Sequence, residues 1–326
     1  MIQTRASAMR RLSTAAALFA VCAGANAQNY PDKPVRMIVP YAAGGNADLL
    51  ARVVAQKLGE MFAQQIIIDN RAGANGVIGT ELLAKAAPDG YTLGFIASGH
   101  SINPGMYSKM PFDPIRDFAP IAQTSSTPII IAVTAALPAK TVKALAALAK
   151  ARPGELSYAS QGNGSPGHLA GALFNSMNGI TIVHIPYKST SQAITDLSSG
   201  QVQMMYPSAT SILPHIKAGR LRAVAIATKQ RSALAPDIPT AAESGLPGFE
   251  AGIWNGVMAP AGTAPAIIEK LHAAIAKIIQ SPDTRERILV MGADPAISTP
   301  AEFSAFIAAE LKKWTKVIKD SGAKLD

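Results

Sequence analysis

The feature that most constrains the fold of this chain is a repeated alternation of short apolar segments with amphipathic helical segments. Along the first third of the chain the segments read PVRMIVPY (extended), ADLLARVVAQKLGEMF (helical), QQIIIDN (extended), GVIGTELLAKAA (helical) and YTLGFIAS (extended). In the first helical segment, Leu50, Val53, Val54 and Leu58 recur at helical spacing. Such an alternation is typical of βαβαβ units with a parallel sheet, so it predicts the α/β class.

A second alternation begins near Ile129. It runs through PIIIAVT, TVKALAALAKA, LSYAS, a helix to Met177, TIVHIPY, a helix through Leu197 and VQMMYPS, and then LRAVAIAT. After a proline-rich stretch come the strand GIWNGVMAP and three amphipathic helices that close the chain. This order predicts two lobes joined by crossing segments, with residues 28–130 and 253–326 in one lobe and residues 131–252 in the other. The cleft between the lobes is the expected ligand site.

The first 27 residues form a segment of another kind. Three arginines precede the apolar run LSTAAALFAVCAGA, and Ala25, Asn26 and Ala27 follow it. This pattern predicts a secretory signal peptide cleaved near Ala27, and therefore a periplasmic location. The alternative is a retained membrane anchor. Cys22 is the only cysteine of the chain, and Val21 before it argues against lipidation. Cleavage would remove it, so no disulfide is expected in the mature chain.

The charge balance excludes one class of partner. The formal net charge of the whole chain is +9, and loss of the three arginines leaves +6 for the mature chain. No run of basic residues interleaved with aromatic ones occurs, so nucleic-acid binding is not expected. A mildly positive exported protein favours small anions instead.

The turn after the first strand, Tyr41 to Asp48, contains Gly44 and Gly45 directly before a helix. Glycines allow a ligand to approach the backbone closely, and the first N–H groups of the helix attract a carboxylate or a phosphate. The alternative is a tight turn in which Asp48 caps its own helix. Neither a phosphate-binding lysine motif nor GxGxxG is present at this turn, so the sequence does not support nucleotide triphosphate binding.

A second glycine-rich turn, YASQGNGSPGH from Tyr158 to His168, also leads from a strand into a helix. Its glycines fit GxGxxG, which raises a dinucleotide-binding oxidoreductase as an alternative. After the next strand, however, the sequence reads Pro186, Tyr187 and Lys188, where an acidic residue should hold the ribose. We therefore predict a second anion-binding turn, in which Ser160, Asn163 and Ser165 provide neutral hydrogen-bonding groups.

Other strand ends provide further candidates. His100, in IASGHS, is either a ligand contact or an ordinary polar loop residue, and Tyr187 either lines the cleft or packs within its lobe. Asp69 and Arg71 are either catalytic or an ion pair within the lobe. The five histidines show no metal-ligand spacing, and no nucleophile elbow occurs, so we predict no metal, no cofactor and no catalytic residue.

Taken in order, these turns resemble the Bug family of periplasmic receptors for tripartite tricarboxylate transporters. The resemblance covers essentially the whole mature chain. It rests on the segments YPDKPVRMIVPYAAGGNAD, NRAGANGVIGTE, AKAAPDGYTL, FDPIRDFAPI, YASQGNGSPGHLAG, VHIPYK, LPHIKAGRLRAVA and PDIPTAAESGLPGFE. It implies a two-lobed type II periplasmic binding protein, the Venus-flytrap fold, in which a cleft closes on a small carboxylate. It also implies transient contact with inner-membrane permease subunits, and we expect a monomer.

Carried onto this chain, the resemblance and the turns together give one set of expected ligand-binding residues: Tyr41, Ala43, Gly44, Gly45, Asn46, Asp48, Ser98, His100, Ser160, Gly162, Asn163, Gly164, Ser165, His168, Tyr187, Tyr206 and Ser208. Two positions depart from the family pattern. Asn46 stands where a glycine is common, and Tyr206 and Pro207 stand where many relatives have Asp and Asn.

The missing acid at Tyr206 removes a partner for an ammonium group. We therefore expect a dicarboxylate, or an aromatic carboxylate stacked on Tyr206, in preference to an amino acid. The alternative function is an exported hydrolase that acts on a small carboxylate ester or amide.

Overall fold

The computed structural model describes residues 30–323, so the predicted signal peptide lies outside the described residues. The described chain forms two sheets. The strands of the first sheet are β1 (Val35–Val39), β2 (Ile66–Asn70), β3 (Thr92–Ala97), β4 (Phe118–Pro128), β10 (Gly252–Pro260) and β11 (Asp294–Pro295). The strands of the second sheet are β5 (Ile130–Thr134), β6 (Ser157–Ser160), β7 (Val183–Pro186), β8 (Met204–Met205) and β9 (Leu221–Ile226).

The helices lie between and after these strands. Those of the first half are α1 (Asn46–Phe62), α2 (Val77–Ala84), α3 (Gly99–Met106), α4 (Val142–Ala151) and α5 (Pro166–Asn178). Those of the second half are α6 (Thr190–Ser199), α7 (Ala209–Lys217), α8 (Pro265–Gln280), α9 (Pro282–Val290) and α10 (Pro300–Ser321). A short 3₁₀ turn covers Ala74–Gly76 before α2.

Strand pairing in the first sheet follows the order β11-β4-β10-β3-β1-β2. The central strand β1 is parallel to both β2 and β3, which confirms the predicted βαβαβ unit. The order in the second sheet is β7-β6-β8-β5-β9, with β6 parallel to β7 and β8 and with β5 antiparallel to β8 and β9.

The chain passes between the sheets twice. It leaves the first sheet at the end of β4 and enters the second at β5, with only Ile129 between them. It returns after β9 and pairs β10 antiparallel with β3 and β4. These two crossings place the carboxyl ends of the parallel strands of both sheets around one cleft, in agreement with the predicted two-lobed α/β fold.

Apolar side chains bury both faces of each sheet. In the first sheet, Leu50 and Leu58 of α1 pack with Ile275 of α8 on one face, and Leu83 of α2 packs with Phe303 of α10 on the other. Buried strands with helices on both faces are expected from the near-continuous apolar runs in the sequence.

Three elements differ from the sequence expectation. Strand β4 is partly polar and contains two prolines, and helices α3 and α7 each contain an internal proline, Pro104 and Pro214. Proline normally ends a helix or weakens a strand, which hides such elements from pattern analysis.

Among residues 30–323, none of the helices combines the length and the apolar character that a membrane crossing requires.

Candidate functional site

A cleft of about 420 Å³ lies where the turns of the two sheets meet. It is lined from the first sheet by Tyr41, Asn75, Ser98, Gly99 and Ile102, from the second by Asn163, Gly164, Ser165 and Pro166, and from β10 by Ile253. A larger crevice of about 650 Å³ lies elsewhere, beside Trp254 and α10. We assign the site to the smaller cleft because it collects strand-end turns from both sheets, where open α/β sheets bind ligands.

Two helices begin at the wall of this cleft. Helix α3 starts at Gly99, and its N-cap Ser98 makes no capping bond with its side chain. Helix α5 starts at Pro166, and its N-cap Ser165 accepts a hydrogen bond from His168 N–H at 3.3 Å. The N-terminal end of a helix carries partial positive charge, so two such ends favour an anion between them. Neither an acidic nor a basic side chain lines the described cleft.

The turn before α5 is held by its own hydrogen bonds. Ser165 Oγ donates to the carbonyl of Gly162 at 2.7 Å, and Gly162 N–H donates to Ser160 Oγ at 3.1 Å. Gly162 and Gly164 have φ of +107° and +73°, a region that residues with a Cβ rarely adopt. Gly162 and Gly164 therefore occupy positions where the backbone conformation requires glycine.

Two histidines support this turn from behind. The N–H of Gly164 donates to His168 Nδ1 at 3.0 Å, and the His168 ring stacks on His184 with centroids 4.0 Å apart. His184 Nε2 lies 2.6 Å from Ser160 Oγ. His168 therefore lies next to the cleft, where it contacts the turn and does not line the cleft, and its contact with a ligand stays a prediction. Ser160 is fully buried, so its pairing with His184 does not present a nucleophile to the cleft.

On the opposite wall, Tyr41 and Asn75 stand together. An added Cβ on Gly99 would lie 3.1 Å from the Tyr41 hydroxyl and 3.0 Å from the Asn75 carbonyl, so only glycine fits there without a shift. Burial raises the pKa of Tyr41 above its ordinary value, so the phenol stays neutral and can donate a hydrogen bond. Asn75 Nδ2 donates to Asn103 Oδ1 at 2.7 Å.

Asn75 is a cleft residue that the sequence reasoning missed. It lies in a glycine-rich loop and has φ of +50°, a value that asparagine tolerates better than most residues. The signal that could have identified Asn75 from the sequence is an asparagine in a loop between glycines. The other cleft residues not predicted are Gly99, Ile102, Pro166 and Ile253.

The Gly44 turn sits at the end of β1, directly after Tyr41. Gly44 has φ of +80°, whereas Gly45 is the N-cap of α1 with ordinary extended angles and no side-chain cap. Ala43, Gly44, Gly45 and Asn46 are exposed and do not line the 420 Å³ cleft. Their contact with a ligand stays a prediction.

Asp48 has a structural role in this turn. Its side chain is buried and accepts hydrogen bonds from Gly44 N–H at 2.8 Å, Arg52 Nε at 2.9 Å and Asn70 Nδ2 at 2.9 Å. The carboxylate is thus used within the turn without capping the first N–H groups of α1, and its contact with a ligand stays a prediction.

His100 also differs from its prediction as a ligand contact. Its ring is buried, stacks with Phe112 at 6.0 Å, meets the edge of Phe118 at 4.9 Å, and places Nε2 2.8 Å from the Pro114 carbonyl. Burial lowers the pKa of His100 to about 4. The residue is a neutral histidine in an aromatic cluster, because the first turn of α3 directs it into the core.

Tyr206 gives the clearest correction. It is buried among Tyr158, Phe174 and Phe249, with its ring 5.5 Å from that of Tyr158. Side chains alternate between the faces of a strand, and Met204 and Tyr206 both fall on the face that packs against α5. Tyr206 therefore cannot stack on a ligand in the cleft.

Two further predicted residues lie outside the cleft lining. The Tyr187 hydroxyl donates to Asp196 Oδ2 at 2.8 Å, and its ring packs within its own lobe. Ser208 precedes α7, and its hydroxyl lies 3.1 Å from that of Ser211. Asp69 accepts from Arg71 Nε at 2.8 Å and also pairs with Arg36, so the ion-pair interpretation of Asp69 and Arg71 is confirmed.

The comparisons with known proteins agree with the fold. A family model described as tripartite tricarboxylate transporter family receptor matches residues 50–323. Protein BugT of Bordetella pertussis is 39% identical over 323 residues, which cover 97% of this chain and 99% of BugT.

Two solved structures are also similar to this chain. An R. palustris protein with adipate has a TM-score of 0.71 at 35% identity, covering 91% of this chain and 100% of that protein. MatC from Rhodopseudomonas palustris with bound malate has a TM-score of 0.67 at 31% identity, covering 89% and 100%.

Proposed function

Because the chain belongs to the tripartite tricarboxylate transporter receptor family, we propose that it captures a small dicarboxylate in the periplasm and delivers it to a permease of that transporter type. The family description makes it a solute-binding receptor. The observation that carries the choice of ligand is the 420 Å³ cleft, into which two helix N-termini point and in which no charged side chain stands.

A carboxylate suits this cleft for electrostatic reasons. Helix N-termini and neutral hydroxyl or amide groups stabilise negative charge, each helix end contributing about 0.3 to 1 kcal/mol, or up to about 2 kcal/mol where it is partly buried. Micromolar binding requires about 8 kcal/mol, so hydrogen bonds from both lobes must act together. Because one helix N-terminus lies on each side of the cleft, the cleft suits a ligand with two carboxylates better than a ligand with one carboxylate.

The same cleft argues against an amino acid. An ammonium group desolvated in a cleft needs an acidic partner, and the described lining contains none. The aromatic carboxylate considered from the sequence loses its support, because Tyr206 lies in the core. The structures with adipate and malate, which are similar to this one, give independent support for a dicarboxylate.

The test is a thermal-shift screen of the mature chain, residues 28–326, with hits confirmed by calorimetry. The ligands are dicarboxylates of four to six carbons, each paired with its neutral diamide, together with tricarboxylates, aromatic acids and amino acids. Ligand at about 100 times its dissociation constant stabilises a protein by about 2.7 kcal/mol. We expect a dicarboxylate to raise the melting temperature, its diamide to have no effect, and the ligand to be recovered unchanged.

Two other outcomes would contradict the proposal. Stabilisation by diamides or amino acids alone would exclude a site built for two negative charges. Recovery of a chemically altered ligand would favour the hydrolase alternative.

Variants locate the site. Asn163→Phe fills the cleft from the α5 turn. Gly45→Val adds bulk at the α1 turn, where φ is −74° and an added Cβ would lie 3.3 Å from the carbonyl oxygen of Ala42 in the same exposed turn. Gln192→Phe on the exposed start of α6 is the matched control. We expect both site variants to fold and to lose binding while the control binds. Tight binding by Asn163→Phe would show that the ligand lies elsewhere.

A further inference from the structure

One hydrogen bond of the turn that lines the cleft is accepted by an imidazole nitrogen. Gly164, a cleft residue, donates its N–H to His168 Nδ1 at 3.0 Å. A ring nitrogen accepts a hydrogen bond only while it carries no proton, so this contact fixes His168 as the neutral tautomer with its proton on Nε2. Protonation of Nδ1 would place two N–H donors against each other and would remove this hydrogen bond.

The surroundings of His168 favour the neutral ring. It is 7% exposed and stacks on His184 with an angle of 15° between the rings. Tyr158 donates its hydroxyl to the His168 carbonyl at 3.2 Å and lies 5.0 Å from the His184 ring. A positive charge on either imidazole is opposed by burial and by charge on the other.

A cavity of about 440 Å³ behind the two rings contains the other titratable groups that face them. They are Tyr158 of β6 and Asp320 of α10, and Asp320 is paired with Lys316. Among the described lining residues, Asp320 is therefore the one carboxylate that faces the histidine pair, and its charge is balanced by lysine. Burial lowers the pKa of His168, and burial together with His168 lowers that of His184 to about 4.

We infer that His168 is a positioning residue that holds the Gly162–Ser165 turn in its ligand-binding form only while its imidazole is neutral, so that acidification weakens binding. The inference rests on the proposed function. At neutral pH the ring accepts from Gly164 and the site is formed. As the pH falls below the ordinary histidine range, Nδ1 gains a proton, the acceptor is lost and the ligand is released.

The test compares the parent with two variants by calorimetry, using the dicarboxylate found in the screen, at about pH 7.5 and about pH 5. His168→Asn places an amide oxygen near the position of Nδ1 and cannot titrate. His168→Leu keeps the bulk and removes the acceptor. Protonation of the ligand itself and of His100 is common to all three proteins, so the differences between their pH profiles report on the stacked pair His168 and His184.

We expect His168→Leu to bind roughly tenfold more weakly than the parent at pH 7.5, which is the loss of about one well-placed hydrogen bond. His168→Asn should recover most of that loss. Between the two pH values the parent should lose more affinity than His168→Asn loses, by up to roughly tenfold where the ring is fully protonated. Parallel pH profiles of affinity for the parent and His168→Asn would overturn the inference. Parent-like binding by His168→Leu would overturn it as well.

Nitrogen NMR of the histidine rings separates this failure from failure of the proposed function. At neutral pH the His168 Nδ1 resonance should have the shift of an unprotonated acceptor and should move on acidification. A protonated Nδ1 at neutral pH would refute the inference even if a dicarboxylate binds. Absence of any carboxylate binding with an unprotonated Nδ1 would refute the proposed function instead.

Discussion

Substitution of Asp48 tests how the turn before α1 is stabilised. It is 1% exposed, and its Oδ2 accepts from Gly44 N–H and Arg52 Nε while its Oδ1 accepts from Asn70 Nδ2. Burial by itself would raise the pKa of Asp48, but the hydrogen bonds from Arg52, Gly44 and Asn70 outweigh it and hold the pKa below its ordinary value. Asp48→Asn keeps the shape and removes the charge and one acceptor.

The cost follows from the contacts that asparagine cannot make. If its oxygen takes the Oδ2 position, its amide faces Asn70 Nδ2, which cannot rotate freely because it also donates to the Tyr41 carbonyl at 3.0 Å. In the other orientation, Gly44 N–H and Arg52 lose their acceptor. A hydrogen bond to a charged group contributes about 1.5 to 3 kcal/mol. Arg52 is half exposed and regains water, so we expect a loss of about 2 to 4 kcal/mol in the free energy of unfolding.

Urea unfolding of the parent and variant at neutral pH measures this loss. The matched control is Asp283→Asn, which also removes a carboxylate from the first turn of a helix but from a side chain that is 55% exposed and paired with Lys57. The control should lose much less. A loss for Asp48→Asn below about 0.5 kcal/mol, the range of ordinary surface changes, would refute the interpretation.

The pH dependence of the same variant has a definite sign. The pKa of Asp48 is lowered in the folded state, so its stabilising contribution is complete above the ordinary aspartate value of 3.8 and is lost as the pH falls through the lowered pKa. The parent and Asp48→Asn should therefore converge in stability in strong acid. A constant difference at all pH values would mean that the charge plays no part.

Three further predictions concern stability. The pKa of His100 is about 4 in the folded state, against the ordinary value of 6.5 in the unfolded state. As the pH falls from 6.5 to 4, the free energy of unfolding of the parent should therefore decrease by up to about 1.4 kcal/mol per pH unit through protonation of this residue. His100→Phe should show a shallower decline, and equal slopes would contradict this. An added Cβ on Gly171 would lie 2.2 Å from the Tyr158 ring, so Gly171→Ala should cost about 1 to 3 kcal/mol, and an unchanged urea midpoint would refute the overlap. Thr299→Ala removes the capping box of α10 and should cost about 1 kcal/mol, whereas no loss would show that the cap is dispensable.

The sequence predicted those parts of the fold that depend on local pattern. Strands β1, β2 and β3 and the helices between them follow from apolar periodicity, and the turns at Gly44 and Gly162 follow from glycine before a helix. Ser165 at the N-cap and Pro166 in the first turn likewise mark the start of α5. Local signals of this kind are sufficient because apolar periodicity and turn residues are set within each element.

The predictions that failed depend on which face of a helix or strand packs against which neighbouring element. Tyr206 follows two methionines that are both buried, so the run is apolar on either face and does not show that the tyrosine turns into the core. His100 occupies the first turn of a helix that its own proline concealed. Asn75 belongs to no periodic pattern. Contacts made through backbone N–H groups leave even less trace, because they do not require a particular side chain.

Helix α10 shows how the two lobes are joined beyond their crossing strands. Our proposed division gives residues 28–130 and 253–326 to one lobe, and the first half of α10 agrees, since Phe303 packs with Trp254 of the first sheet. Its second half contributes Trp314 and Ile318 to the core that also contains Phe174 of α5. A helix of 22 residues is thus anchored in both cores. Because α5 begins at the cleft, any closure that moves its N-terminus must also shift its packing against the end of α10. We therefore expect the proposed ligand capture to be coupled to the packing of the C-terminal helix.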